Sequence, residues 1–215
     1  MSDVPNDDQL VDDLDEEAAD EIEARRRQEA ALAQIVQFGS PLLKSRSSEV
    51  EAVDDELRQT IERMIPLMHD AIGTGLAAPQ IGVLRRFIVY RAGSESEPRA
   101  LINPQLEWLS EEVETSIEGC LSIPGVILDI ERPAEATVRA IDPEGNEVVI
   151  EASGHEARVI QHEIDHLDGV LILDRAEKAQ RRAALRALRR GETYAPPREE
   201  ETAVRDEVAD PVETD

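Results

Sequence analysis

The segment His162-Glu163-Ile164-Asp165-His166 constrains this chain more than any other. Two histidines at i and i+4 face the same way only on a helix, where both imidazoles can reach one ion. The same stretch carries Ala157, Ile160, Ile164 and Leu167 at helical spacing, so the helix has an apolar stripe to bury as well as a pair of ligands to present. The spacing predicts a helix from about Gly154 to Leu167 with Gly169 as its stop. Glu163 is rotated by one residue from His162, which lets its carboxylate act as a general base on a water in the site without ligating the ion. Two solvated histidines on a surface helix would give the same five letters, so the motif needs context.

The context is the sole cysteine. Cys120 cannot form an intramolecular disulfide, and a lone cysteine is most often a buried, inert thiol. Here it lies in Glu118-Gly119-Cys120-Leu121-Ser122-Ile123-Pro124, beside a glycine where backbone can approach another group closely. A thiolate would complete a Cys-His-His set and leave one position open, which is what separates a catalytic metal site from a structural one. A third segment, Gly73-Thr74-Gly75-Leu76-Ala77-Ala78-Pro79-Gln80, ends in an amide able to donate a hydrogen bond. It is a poor phosphate cradle, because no lysine follows the glycines.

Together and in this order, the three segments resemble the motifs of the peptide deformylase family: Gly-x-Gly-Leu-Ala-Ala-x-Gln, Glu-Gly-Cys-Leu-Ser and Gln-His-Glu-x-x-His, the last including Gln161. The resemblance spans roughly Ile35 to Arg190. It implies an enzyme that hydrolyses the N-formyl group from the N-terminal formylmethionine of nascent polypeptides, releasing formate. It further implies Cys120, His162 and His166 as metal ligands, Glu163 as acid/base, and Gln80 with the backbone N–H of Leu121 as oxyanion donors. The implied metal is divalent, Fe2+ first, with Zn2+, Ni2+ or Co2+ as alternatives, and the implied substrates are N-formylmethionyl peptides. The implied fold is α+β, with small mixed or antiparallel sheets around the central metal-binding helix and a C-terminal helix packed outside. This chain departs from the family pattern where Thr74, His155 and Glu156 stand for apolar residues near the methionine pocket, and where Ile127 stands for an arginine.

The rest of the chain organises around that centre. Leu57, Ile61, Met64, Ile65, Met68 and Ile72 predict an amphipathic helix capped by Asp54 or Asp55, with Pro66 expected to kink it. Arg86 to Arg91 reads as a buried strand, Ala100 to Ile102 as a short one before an Asn103-Pro104 turn, and 136–141 with 147–152 as a hairpin. Aromatic residues are only 2% of the chain, so the core must be aliphatic, and Trp108 is expected to pack. His69 and His155 are expected in solvent.

The formal charge of −25 is concentrated at the ends: residues 1–30 hold 12 acids and 3 bases, and residues 191–215 hold 9 acids and 2 bases. Both ends are expected to be disordered acidic tails, because they offer too little apolar surface to offset the entropy of ordering. They would flank a catalytic domain over 31–176 and a basic helix over 177–190. The basic run from Arg175 to Arg190 is either a solvated face or a dock for ribosomal RNA. With no apolar run of membrane-spanning length and no signal or transit pattern, a cytoplasmic, monomeric protein without membrane attachment is expected. Two other readings compete. A zinc peptidase would need a third ligand downstream, where only Asp168 and Asp174 lie close by, and an interaction module that kept the fold would not need Gln80 and Glu163.

Overall fold

The computed structural model describes residues 7–93 and 95–197, with side chains described from residue 19 onward. The helix at its centre, α3 (Gly154–Leu167), follows directly from the last strand of an antiparallel sheet. That sheet has five strands in the order β1 (Gly75–Ala77), β2 (Phe87–Tyr90), β3 (Arg99–Leu109), β6 (Glu135–Ile141) and β7 (Glu147–Ser153). The remaining two, β4 (Val113–Gly119) and β5 (Ile127–Pro133), pair as a separate antiparallel ribbon. All strand pairs within the two sheets are antiparallel, and the α+β architecture matches the expectation.

The apolar stripe of α3 explains its position. Ala157, Ile160, Ile164 and Leu167 pack with Ile88, Tyr90, Leu101, Val138, Ile150 and Ala152 into one core cluster, so α3 closes one face of the five-stranded sheet. On the opposite face lies α2 (Asp55–Asp70), whose Leu57, Ile61, Met64 and Met68 pack against Leu76, Phe87, Val89 and Ile102. The strands between these two layers therefore alternate sides, Ile88 and Tyr90 one way and Phe87 and Val89 the other, as period-two geometry requires. Asp54 caps α2 by accepting the Leu57 N–H at 2.8 Å, and the helix continues through Pro66.

Several expectations are corrected. Residues 1–30 were expected to be disordered, yet Asp7–Leu32 forms a helix, α1. The segment is rich in Ala, Glu and Arg, and it spaces Glu21 with Arg25 and Glu23 with Arg27 at i,i+4 in the favourable order. Its C-terminal end is tethered, because Ala31 and the following Ile35 are buried among the α2 side chains. Strand β3 does not stop at an Asn103-Pro104 turn. Its register with β6 shifts between Ile102 and Gln105, so Asn103 and Pro104 occupy a bulge. Asn103 takes φ 52° there, and its side-chain amide accepts from Val50 N and donates to Val50 O at 2.8 and 2.9 Å. Trp108 does not pack in the core; it is 52% exposed near the end of β3.

The C-terminal region also differs. The basic helix α5 spans Lys178–Arg190, whereas Arg175 ends the separate short helix α4 (Ile172–Arg175) and pairs with Asp165. Helix α5 packs on the outside through Ala184 and Ala187. The expected disordered tail from residue 191 is ordered at its start: Tyr194 N donates to Gly125 O and Ile127 N to Tyr194 O, both at 2.8 Å, because the edge of β5 offers unpaired backbone groups. Residues 1–6 and 198–215, to which the rest of the two tail expectations applies, lie outside the described residues. None of the described helices is long and apolar enough to cross a membrane.

Candidate active site

Helix α3 contributes His162 and His166 from the face opposite its apolar stripe, their ring centroids 5.1 Å apart. Cys120 arrives from a different element, one residue past the end of β4, where Ile123 N donates to Cys120 O and starts a tight turn. The Cys120 Sγ lies 3.2 Å from His166 Nε2, and one ligand atom from each of the three residues falls within 4.8 Å of the others. Around a tetrahedral ion bound by sulfur and imidazole at ordinary lengths, such donors are separated by about 3.5 Å. The residues therefore fit a single divalent cation.

The two imidazoles sit in different electrostatic surroundings. Burial would lower the pKa of His162, but hydrogen bonds with Cys120 and Glu118 outweigh it and hold it well above the ordinary imidazole value. His166 is pushed the other way, first by burial and then by the charge on His162. Glu163 Oε2 and His166 Nδ1 are buried without a hydrogen-bonding partner among the described residues, and an unpaired buried carboxylate oxygen at this point asks for a water or a substrate proton.

Glu163 is 4% exposed, and burial, only partly countered by His162 and Arg132, pushes it up to about 7. It sits against Gly75 of β1, where any Cβ would collide with its carboxylate, so the Gly-x-Gly segment is what admits Glu163 to the site. Gln80 follows on the same segment and is 1% exposed. Its Oε1 accepts from Ala77 N at 2.8 Å, which turns Nε2 toward Ser122 Oγ at 3.2 Å and Cys120 Sγ at 4.0 Å. Leu121 is half-buried beside Cys120.

A carboxylate that was not singled out in advance organises the site. Glu118 Oε2 faces His162 Nδ1 at 2.9 Å, which leaves Nε2 of that ring for the ion. Arg132 donates to both Glu118 oxygens at 2.6 and 3.0 Å and to Asp165 at 2.8 Å, and Arg158 adds a further bond to Glu118 at 2.7 Å. Burial would raise the Glu118 pKa, but the bonds from His162 and Arg132 more than offset it and keep the group ionised. Its position two residues before the cysteine was a signal in the sequence; nothing there marked Arg132 or Arg158 as its partners.

The four departures fall in different places. Thr74, His155 and Ile127 line a cleft of about 720 Å³ whose lining includes Cys120, His162 and Glu163. Glu156 instead accepts from the Tyr90 hydroxyl at 3.0 Å and lies 3.6 Å from Arg99. His155 is exposed at the start of α3, as expected, and His69 is exposed at the end of α2.

Two imidazoles on one helix, a cysteine from a neighbouring turn and a buried carboxylate beside an open cleft are the donor set and proton carrier that a hydrolase working with a single metal ion would need. Comparison with known proteins narrows this class. The family model for polypeptide deformylase matches residues 32–182. The peptide deformylase of Natranaerobius thermophilus is 45% identical over 151 residues, covering 70% of this chain and 96% of that protein. The crystal structure of the peptide deformylase from Thermotoga maritima superposes with a TM-score of 0.64 at 45% identity, covering 66% of this chain and 96% of that one. That of the Synechococcus elongatus enzyme in complex with actinonin gives 0.69 at 42% identity, covering 74% and 88%. The chain belongs to the peptide deformylase family, hydrolases that remove the N-formyl group from nascent peptides.

Proposed function

We propose that the chain removes the formyl group from N-terminal formylmethionine using one divalent ion held by Cys120, His162 and His166, with Glu163 moving the proton and Gln80 and Leu121 stabilising the developing oxyanion. The observation that carries this reading is the convergence of the Cys120 sulfur and both imidazoles within 4.8 Å, with Cys120 and His162 lining the cleft. When bound, such an ion supplies a Lewis acid and lowers the pKa of water from about 15.7 towards about 7.

Glu163 takes a proton from the attacking water at its unpaired Oε2, as a new C–O bond forms at the formyl carbon. It delivers that proton to the departing amine nitrogen as the C–N bond breaks, so formate and a free amino terminus result. The raised pKa of Glu163 suits both halves of this exchange. Gln80, its amide orientation locked by Ala77 N, and the Leu121 backbone N–H aim donors at the oxygen on which charge grows. Glu118 keeps His162 in the tautomer that ligates.

Iron(II) is the proposed metal, with Zn2+, Ni2+ or Co2+ able to use the same thiolate and imidazole donors. The exposed arginines of α5, Arg181, Arg182, Arg186, Arg189 and Arg190, are proposed to meet ribosomal RNA in the cytoplasm, with the protein acting as a monomer. Because Ala184 and Ala187 of α5 are buried, reversing the charge of Arg182, Arg186 and Arg189 tests that dock without removing the helix. Undiminished pelleting with ribosomes would count against it.

The test of the reaction is formate release from formyl-Met-Ala-Ser by metal-loaded protein. The reading expects turnover that is abolished by Glu163→Ala. Cleavage of internal peptide bonds instead would assign the site to a peptidase, and inactivity with every metal would remove the enzymatic reading.

A further inference from the structure

Helix α2 ends in a turn whose geometry calls for glycine. Ile72 N donates to His69 O at 2.9 Å and Gly73 N to Met68 O at 2.8 Å, the paired bonds that close a helix through a left-handed residue. That residue is Ile72, at φ 59°. A β-branched side chain is strongly disfavoured there, and only one other non-glycine among the described residues shares a positive φ. The other, Asn103, is compensated by its two bonds to Val50. Ile72 has no such return: it is 68% exposed and belongs to none of the core clusters.

Its location gives the strain a reason, because Ile72 lines the cleft that leads from the metal ligands. The β4–β5 ribbon forms another wall. In its register Gly119 faces Ile127 and Ile117 faces Asp129, so Ile117 and Ile127 are diagonal neighbours on one face, while Glu118, Leu128 and Ile130 turn inward. Ile117 and Ile127 also line the cleft, and they remain 51% and 39% exposed. A chain of net charge −25 thus presents three exposed isoleucines along the walls of one groove, continuous with its reactive floor.

We infer that Ile72, Ile117 and Ile127 are specificity-determining residues that select formylated peptides with apolar side chains at the second and third positions. The inference rests on the deformylation reading, since the peptide must run outward from the metal ligands past these walls. Apolar substrate side chains lying there would shield the isoleucines from water, whereas acidic or hydroxylated ones would gain nothing.

The experiment compares kcat/KM of the metal-loaded full chain on formyl-Met-Leu-Leu and formyl-Met-Ser-Ser, in the native protein, Ile72→Gly and Ile127→Ser. The native protein should favour the leucine peptide by on the order of tenfold, the effect of partly burying two apolar side chains. In Ile72→Gly the KM for the leucine peptide should rise, the preference should shrink, and Tm should increase as the strained turn relaxes. In Ile127→Ser the preference should shrink as well. Equal kcat/KM on the two peptides in the native protein, a preference unchanged in both variants, or a fall in Tm for Ile72→Gly would each overturn the inference while leaving deformylation intact. Turnover of neither peptide would overturn both.

Discussion

The two faces of α3 are buried by different means. On one, Ala157, Ile160, Ile164 and Leu167 are at most 4% exposed among mainly aliphatic neighbours from five strands. On the other, Arg158, His162 and Asp165 meet Glu118 and Arg132 through directed bonds. The apolar face is held by area, which is non-directional and tolerant of repacking. The charged face contributes little net stability, because desolvation offsets most of the attraction between buried ions, yet each bond fixes an angle. One face keeps the helix in place; the other aims its histidines.

That contrast can be broken most forcefully on the charged side. Glu163→Gln should lower kcat by about 10²–10⁴ with the metal still bound, since it removes the proton carrier and keeps the shape; metal analysis beside formate release checks this. Arg132→Met should cost about 3–5 kcal/mol of stability in urea unfolding, because Glu118 and Asp165 lose their shared cation. Adding Glu118→Gln should recover much of that stability but weaken metal retention by about 10–100-fold, measured by chelator competition. Ile160→Ala should give the reverse pattern, a loss of about 2–5 kcal/mol with unchanged metal affinity in the folded protein.

The smallest expected effect lies at the surface. Burial opposes ionisation of Asp174, but the bonds from Lys44 and the Leu171 N–H together outweigh it and hold the carboxyl below its usual value. A depressed folded pKa adds stability above the unfolded value of about 4 and loses it as pH falls through the folded one. Lys44→Met should therefore lower stability slightly above about pH 4, leave it unchanged in strong acid, and so flatten the acid limb of a stability-versus-pH curve.

The same contrast explains what could be read from the sequence. Period-3.6 and period-2 patterns revealed α2, α3 and the β6–β7 hairpin, because each has one face to bury. The β4–β5 ribbon escaped notice: Val113, Ile117 and Ile127 are exposed, so the alternation that marks a half-buried strand is blurred. Helix α1 was obscured by its acidity, which speaks to solvent exposure more than to backbone conformation. The three motifs named side chains that meet in space, since their chemistry is unusual enough to stand out. Arg132, Arg158 and Asp165 did not stand out, because in a chain that is 33% charged a buried ion looks like any other.

The most direct test of the central claim is the metal content of anaerobically purified protein, native and Cys120→Ala. The account predicts one equivalent of a divalent ion per native chain and far less than one in the variant. A full equivalent retained without the thiol would contradict it.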